Sequence, residues 1–284
     1  MQLPLPAVRR LIELALEEDL AGGDMTTDAL IDPSWRAQGR IEAQAQGVLA
    51  GVEVAGLVFQ AVDPALRYTV ALHDGRRLER GTLIATVEGA AASILKGERT
   101  ALNFLQHLSG IASATASHVE VLAELDTRLV DTRKTLPGMR LLQKYAVRMG
   151  GGHNHRSNLG DGILIKDNHL ALLRARGISL GEAIAQARAR APHTSRVEVE
   201  VESLEQLQEA LAAGAEIVML DNMKIEDMER AYELAAGRCL LEASGGITFE
   251  NLRYVAGSGV DIVSLGSLTH SVRALDIHLE LEPL

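Results

Sequence analysis

The sequence predicts an α/β fold: a C-terminal parallel βα barrel of about six βα units, fully closed or incomplete, with an N-terminal α+β sandwich domain. Three patterns predict it. Beyond residue 125, six short apolar runs alternate with helical periodicities, as parallel pairing with right-handed crossovers requires. Between residues 36 and 95, short strand-like runs are separated by glycines. At the C-terminal end, Leu275, Ile277, Leu279 and Leu281 alternate with Asp276, His278, Glu280 and Glu282, the period of two of a half-buried strand.

In order along the chain, Val8, Leu11, Ile12, Ala15 and Leu16 predict an amphipathic helix over 6–20, broken at residues 21–24 by Ala-Gly-Gly-Asp. Strands at 40–46, 66–72 and 82–88, with a helix at 52–62, read as local hairpins. A helix from about Gly97 carries Leu102, Leu105, Leu108 and Ile111 on one face. A strand at 129–131 precedes a helix at 138–149, stopped by Gly150, Gly151 and Gly152. Strands at 163–165, 197–201, 217–220 and 240–242 then precede helices at 179–190, 204–213, 225–236 and 248–256, and 262–265 closes the series. The domains read as 1–110 and 111–270, with 271–284 leaving the barrel to join the first. An open doubly wound sheet shares this alternation.

Of the 284 residues, 47% are hydrophobic and only 3% aromatic, so aliphatic side chains must fill the core. The net charge of -10 argues against nucleic acid as a partner, because phosphate backbones demand a basic face. Any anionic substrate must find a local positive pocket. The one cysteine, Cys239, sits in an apolar run and fits a reducing, cytoplasmic setting. The N-terminal stretch is interrupted by Glu13, Glu17, Glu18 and Asp19, unlike a signal peptide, and no run approaches the roughly 20 apolar residues of a membrane span.

The chemistry gathers at the strand ends, where βα barrels build their active sites. Thr132, Arg133 and Lys134 follow the first strand and Lys166 the second. Arginine grips carboxylates or phosphates through two parallel hydrogen bonds, and lysine acts as a point charge. Either could instead be a solvated loop cation, and Lys166 could form a surface pair with Asp167. His155 and Arg156 follow three glycines and suit an anion better than a metal. His153 and His155 with Asp161 could suggest a metal site, but the spacing of the two histidines is not the i, i+4 of the helical metalloprotease motif. Glu198, Glu200 and Glu202 share one strand face, and at least one should join Asp221 in the mouth to hold ribose hydroxyls or Mg²⁺. Ser244, Gly245 and Gly246, and then Leu265, Gly266 and Ser267, present backbone amides suited to phosphate, with a helix N-terminus expected behind them. The residues alone stop at a small phosphorylated, anionic substrate.

The runs Glu98–Asn103, Asp131–Thr135, His155–Arg156, Leu164–His169, Glu198–Glu202, Met219–Asn222 and Ser244–Gly246 resemble the quinolinate phosphoribosyltransferases. So do Glu18–Leu20 and Gly23–Thr27. Ser157 and Asn158 depart from the family's pattern and bear on local loop shape. The resemblance implies transfer of phosphoribose from phosphoribosyl pyrophosphate to quinolinate, with release of pyrophosphate and CO₂. It also implies Mg²⁺ and a homodimer with shared sites. By this resemblance Arg99 (from the partner), Arg133, His155, Arg156 and Lys166 hold the quinolinate carboxylates. Lys134, Glu200 and Asp221 serve the phosphoribosyl part and its Mg²⁺, while Thr132, Ser244–Gly246 and Leu265–Ser267 surround it. Lys134, Lys166, Glu200 and Asp221 are the expected catalytic group. A related phosphoribosyltransferase-like protein with another acceptor, of the kind associated with molybdate uptake, would share most of these motifs. A non-catalytic sugar-phosphate-binding regulator would not need the whole set of carboxylates and cations.

Overall fold

In the computed structural model, which describes residues 3–284, the chain divides into two units. One runs up to Ala116 and adds Thr135–Gly151 and Ser267–Leu284; the other comprises Ser117–Lys134 and Gly152–Gly266.

In the first unit, α1 (Leu5–Leu20) starts after Pro4, whose fixed φ suits a helix start, and buries Val8 and Ile12. α2 (Met25–Leu30) is capped by Asp24, which accepts from the Thr27 amide at 2.9 Å. β1 (Arg36–Ala43), β2 (Gly47–Val48), α3 (Val52–Val62), β3 (Arg67–Val70), β4 (Arg77–Leu78) and β5 (Leu83–Ala90) follow. Of the expected local hairpins, β3 does pair antiparallel with β5, but β1 does not pair with its neighbour in sequence. β1 pairs antiparallel with β5, and β2 with β4. The reason is α3, whose Val52, Val54, Ala55, Val58 and Phe59 are buried, so the chain leaves the sheet to build it and returns later.

α4 (Ala91–Val121) begins at Ala91, six residues before the expected start at Gly97, and runs from the first unit into the second. Arg99 therefore lies in its third turn, not its first, and is exposed.

β6 (Arg128–Val130) opens the second unit. The next helix, α5 (Arg140–Met149), belongs to the first unit, where the Tyr145 hydroxyl donates to Asp74 at 2.7 Å and Gln143 donates to the Thr269 carbonyl at 3.1 Å. β7 (Ile163–Ile165), α6 (Asp167–Arg174), α7 (Leu180–Arg190), β8 (Val197–Val201), α8 (Leu204–Ala212), β9 (Ile217–Asp221), α9 (Ile225–Ala235), β10 (Leu240–Ser244), α10 (Leu252–Gly257) and β11 (Ile262–Ser264) complete the alternation. Their six strands form one parallel sheet in the order β6-β11-β10-β9-β8-β7. Val197, Val199 and Val201 of β8 are at most 1% exposed, the outward apolar face that a helix-covered parallel strand needs.

α11 (Ser267–His270) and β12 (Ile277–Pro283) return to the first unit. β12 pairs antiparallel with β1 from Ala43↔Ile277 to Ala37↔Pro283, so the period-two segment leaves the parallel sheet as expected. Gly110 permits the approach: a Cβ there would stand 2.2 Å from the Arg273 carbonyl oxygen.

Candidate active site

Within the second unit the strand ends carry the polar residues that the sequence singles out. Asp131, directly after β6, is fully buried. Its carboxylate accepts from the His155 amide at 2.8 Å and from the Asn154 side chain at 2.6 Å. Asp131 thereby anchors the loop bearing His155 and Arg156. Thr132 turns its hydroxyl to the Lys134 amide at 2.9 Å, shaping the turn that presents Arg133 and an exposed Lys134. Ser157 and Asn158 serve that loop's own geometry. The Ser157 amide donates to Asp161 at 2.9 Å, and Asn158 accepts from the Gly160 amide at 2.8 Å.

The three glutamates of the 198–202 run separate. Lys166, at the end of β7, reaches Glu200 at 2.5 Å rather than Asp167. Glu198 sits two residues earlier on the same face, about 7 Å along the strand. There it meets the His155 Nε2 at 3.3 Å, while Glu242 of β10 meets the same nitrogen at 3.4 Å. Glu202 is exposed.

Burial disfavours a charged His155, yet hydrogen bonds and charge from Glu198 and Glu242 outweigh that cost and its pKa is pushed up to about 10. The Arg156 amide lies 2.6 Å from Nδ1, an approach that suits the neutral ring. Two buried carboxylates at Nε2 favour the cation more strongly, since a single amide dipole is weaker than two charges in a dry site. Burial pushes Glu198 itself upward. Burial lowers Arg156, and Arg133 adds to this as a neighbouring like charge.

Asp221 ends β9 and accepts from its neighbour Asn222 at 2.9 Å. Asn222 has a left-handed backbone, φ 53°, and its amide donates to the Ser244 carbonyl at 2.9 Å, tying the ends of β9 and β10 together. Gly245 and Gly246 follow at φ +85° and +62°. The helix expected behind them starts only at Leu252 and spans six residues, so this loop offers backbone amides without a long helix dipole. Leu265 is buried, its amide donating to the Val130 carbonyl at 3.0 Å, with Gly266 next. Arg99 and Ser267 belong to the first unit, on α4 and α11.

A cavity of about 300 Å³ opens within the second unit beside His155, Arg156, Asp161, Glu198 and Glu242. Among its buried polar atoms, the Arg156 Nε and the Oε1 atoms of Glu198 and Glu242 have no hydrogen-bond partner. Sequence reasoning passed over Asp131 and Glu242 as functional residues. The signal for Glu242 was an acid inside the apolar run Leu240–Leu241–Glu242–Ala243, a placement that needs a buried partner.

Comparison with known proteins divides the chain near residue 110. Residues 24–109 match the N-terminal domain of quinolinate phosphoribosyl transferase, and residues 111–280 match its C-terminal domain. The nicotinate-nucleotide pyrophosphorylase [carboxylating] of Mycobacterium leprae is 46% identical, covering 97% of both chains. The probable enzyme of that name in Bacillus subtilis is 42% identical, over 96% of this chain and 93% of its own length. The crystal structure of NadC from Streptococcus pyogenes superposes with a TM-score of 0.94 at 46% identity, covering 100% of this chain and 99% of that one. With both family domains matched in order across most of its length, the chain belongs to the quinolinate phosphoribosyltransferase family.

Proposed function

We propose that the chain transfers phosphoribose from phosphoribosyl pyrophosphate to quinolinate, yielding nicotinate mononucleotide, pyrophosphate and CO₂ in NAD biosynthesis. What supports this reading is that one parallel-sheet unit holds Arg133, His155, Arg156 and Lys166 together with the carboxylates Glu200 and Asp221. Two arginines beside His155 and Lys166 supply donors for two carboxylate groups on one acceptor, which suits a dicarboxylate.

Glu200, one residue before the end of β8, and Asp221, the last residue of β9, stand on paired strands. A set of two carboxylate oxygens suits Mg²⁺, a hard cation with oxygen ligands. These two residues would hold it with the phosphoribosyl substrate, where it would offset charge on the departing pyrophosphate. Lys134 adds a cation for the same leaving group. As the bond from the anomeric carbon to pyrophosphate breaks, that carbon becomes positive, and a carboxylate at the strand ends stabilises it. Arg133, Arg156, His155 and Lys166 orient the acceptor so that its ring nitrogen forms the new bond to that carbon. The ring then carries positive charge. It draws in the electron pair freed as the C2 carboxylate leaves as CO₂, and C2 takes up a proton. Backbone amides of Ser244–Gly246 and Gly266 receive the sugar's phosphate, with Thr132, Leu265 and Ser267 around it.

The reading extends to a homodimer, in which Arg99 of one subunit completes the other's acceptor site, acting in the cytoplasm. Its support is the family resemblance, the lone cysteine, and the finding that no helix among the described residues is long and apolar enough to cross a membrane. The test is to incubate the protein with phosphoribosyl pyrophosphate, Mg²⁺ and quinolinate, and to follow CO₂ and nicotinate mononucleotide. Formation of both supports the reading; comparable turnover of nicotinate without CO₂ release overturns it.

A further inference from the structure

His155 is approached from two different strands. Glu198 on β8 and Glu242 on β10 each place Oε2 within 3.4 Å of the same ring nitrogen, and the two carboxylates are only 5% and 1% exposed as residues. Burying two carboxylates beside each other is costly unless a cation lies between them. Their remaining Oε1 atoms have no hydrogen-bond partner, so neither acid is held there by another protein donor at that oxygen. The buried Asp131 carboxylate holds the His155 backbone amide at 2.8 Å. The ring is thus held from β8 and β10 and its backbone from β6, beside a cavity of about 300 Å³ whose other charged neighbours include Arg156, Asp161 and Arg196.

We propose that Glu198 and Glu242 are positioning residues, a buried two-carboxylate cradle that fixes the His155 ring and keeps it cationic for the acceptor's carboxylates. The inference rests on the acceptor being quinolinate. It adds two residues that touch no substrate and act through His155. A neutral imidazole in this place would leave two buried acids with no cation between them and would offer the substrate no positive charge. The groups meeting the ring are Glu198 from β8 and Glu242 from β10 at Nε2 and the Arg156 backbone amide at Nδ1, while Arg156, Asp161 and Arg196 line the cavity beside it. At Nε2 two carboxylates meet the ring, against one backbone N–H at Nδ1. A metal ion is the competing occupant, because the ligand atoms of His155, Glu198 and Glu242 lie within 4.8 Å of one another. It would have to displace the Nε2 proton and would take the ring from the substrate.

The experiment compares the full-length protein with Glu242→Gln, which keeps the shape and removes the charge. ¹⁵N-NMR of the histidine rings, with the His155 signal assigned by its loss in His155→Asn, reads the charge on His155 with no substrate present. The His155 titration midpoint should fall by at least about one pH unit in Glu242→Gln, a tenfold change in proton affinity. In steady-state assays KM for quinolinate should rise about tenfold or more, while KM for phosphoribosyl pyrophosphate changes less than about twofold. Should Glu242→Gln fail to fold by circular dichroism, Glu198→Gln gives the same two readings. An unchanged His155 midpoint in the folded variant overturns the proposal. So does stoichiometric metal found by elemental analysis and lost in Glu242→Gln. If the titration moves as expected but quinolinate is not turned over, the cradle stands and the assignment of the acceptor fails.

Discussion

Lys166 Nζ stands 2.5 Å from Glu200 Oε2, joining the end of β7 to β8 through a carboxylate that is only 7% exposed as a residue. A pocket of cations alone would gain stability by losing one, and removing Lys166 would then barely affect folding. The pairing reverses that sign, because Glu200 would be left buried without its counter-charge. Since the Lys166 side chain is 45% exposed, water screens part of the loss.

Lys166→Ala should therefore lower unfolding free energy by about 1–2 kcal/mol, at the low end for breaking a buried pair. Lys166→Ala with Glu200→Gln should recover most of it. Urea denaturation of the single and double variants measures the coupling, and additive losses would contradict the pairing. Both Lys166→Ala and Lys134→Ala should also lose about 1.5–3 kcal/mol or more of transition-state binding, read from kcat/KM.

His155 supplies a pH dependence. Its pKa rises from the ordinary histidine value of 6.5 to about 10 in the folded chain, so its stabilising contribution is complete below pH 6.5 and disappears as pH climbs through about 10. Thermal melts from pH 6 to 10 should show the parent losing stability relative to His155→Gln as pH rises. Parallel curves would show that His155 carries no extra proton in the fold.

At Gly245 the backbone has φ +85°, and a Cβ would fall 2.3 Å from the Asn222 Oδ1. Gly245→Ala should cost about 1–2 kcal/mol of stability from the left-handed backbone alone. Pushing Asn222 aside also removes its bond to Asp221, so KM for phosphoribosyl pyrophosphate should rise more than KM for quinolinate. Steady-state kinetics with each substrate varied in turn checks this.

Cys239 should be chemically quiet. Burial, with Asp261 nearby, pushes its thiol up to about 11, so it remains protonated at pH 8. Reaction with a thiol-specific chromogenic disulfide should be far slower than for a free thiol and should accelerate in urea. Fast modification of the folded protein would contradict this.

Arg99 tests the shared site. Arg99→Ala and Lys166→Ala homodimers should each be nearly inactive, and unfolding and refolding them together should restore activity in heterodimers with one intact site. A mixture as inactive as its parents, with heterodimer confirmed by mass, would place Arg99 in its own subunit's service or in none.

Periodicity alone determined the six strands of 128–264, the helices between them other than α6, and the returning strand at 277–283, because a side chain's face repeats every 2 or every 3.6 residues whatever lies opposite. The same rule placed Lys166, Glu200, Asp221 and Gly245 at or just after strand ends. It could not choose strand partners: β1 with β5 rather than a local hairpin, or α5 with the first unit rather than the sheet it follows in sequence. Those choices depend on which apolar faces must be buried together over long separations. Glu198, Glu200 and Glu202 read as three equal acids on one strand face, yet each finds a different environment: the His155 cradle, the Lys166 pair and solvent. Which acid meets which cation follows from β10 bringing Glu242 to the nitrogen already facing Glu198, and from Asp131 anchoring a loop more than twenty residues away in sequence. Charge chemistry is written in the sequence, but its pairing is decided by distances in a low-dielectric interior, and only the folded chain sets those distances.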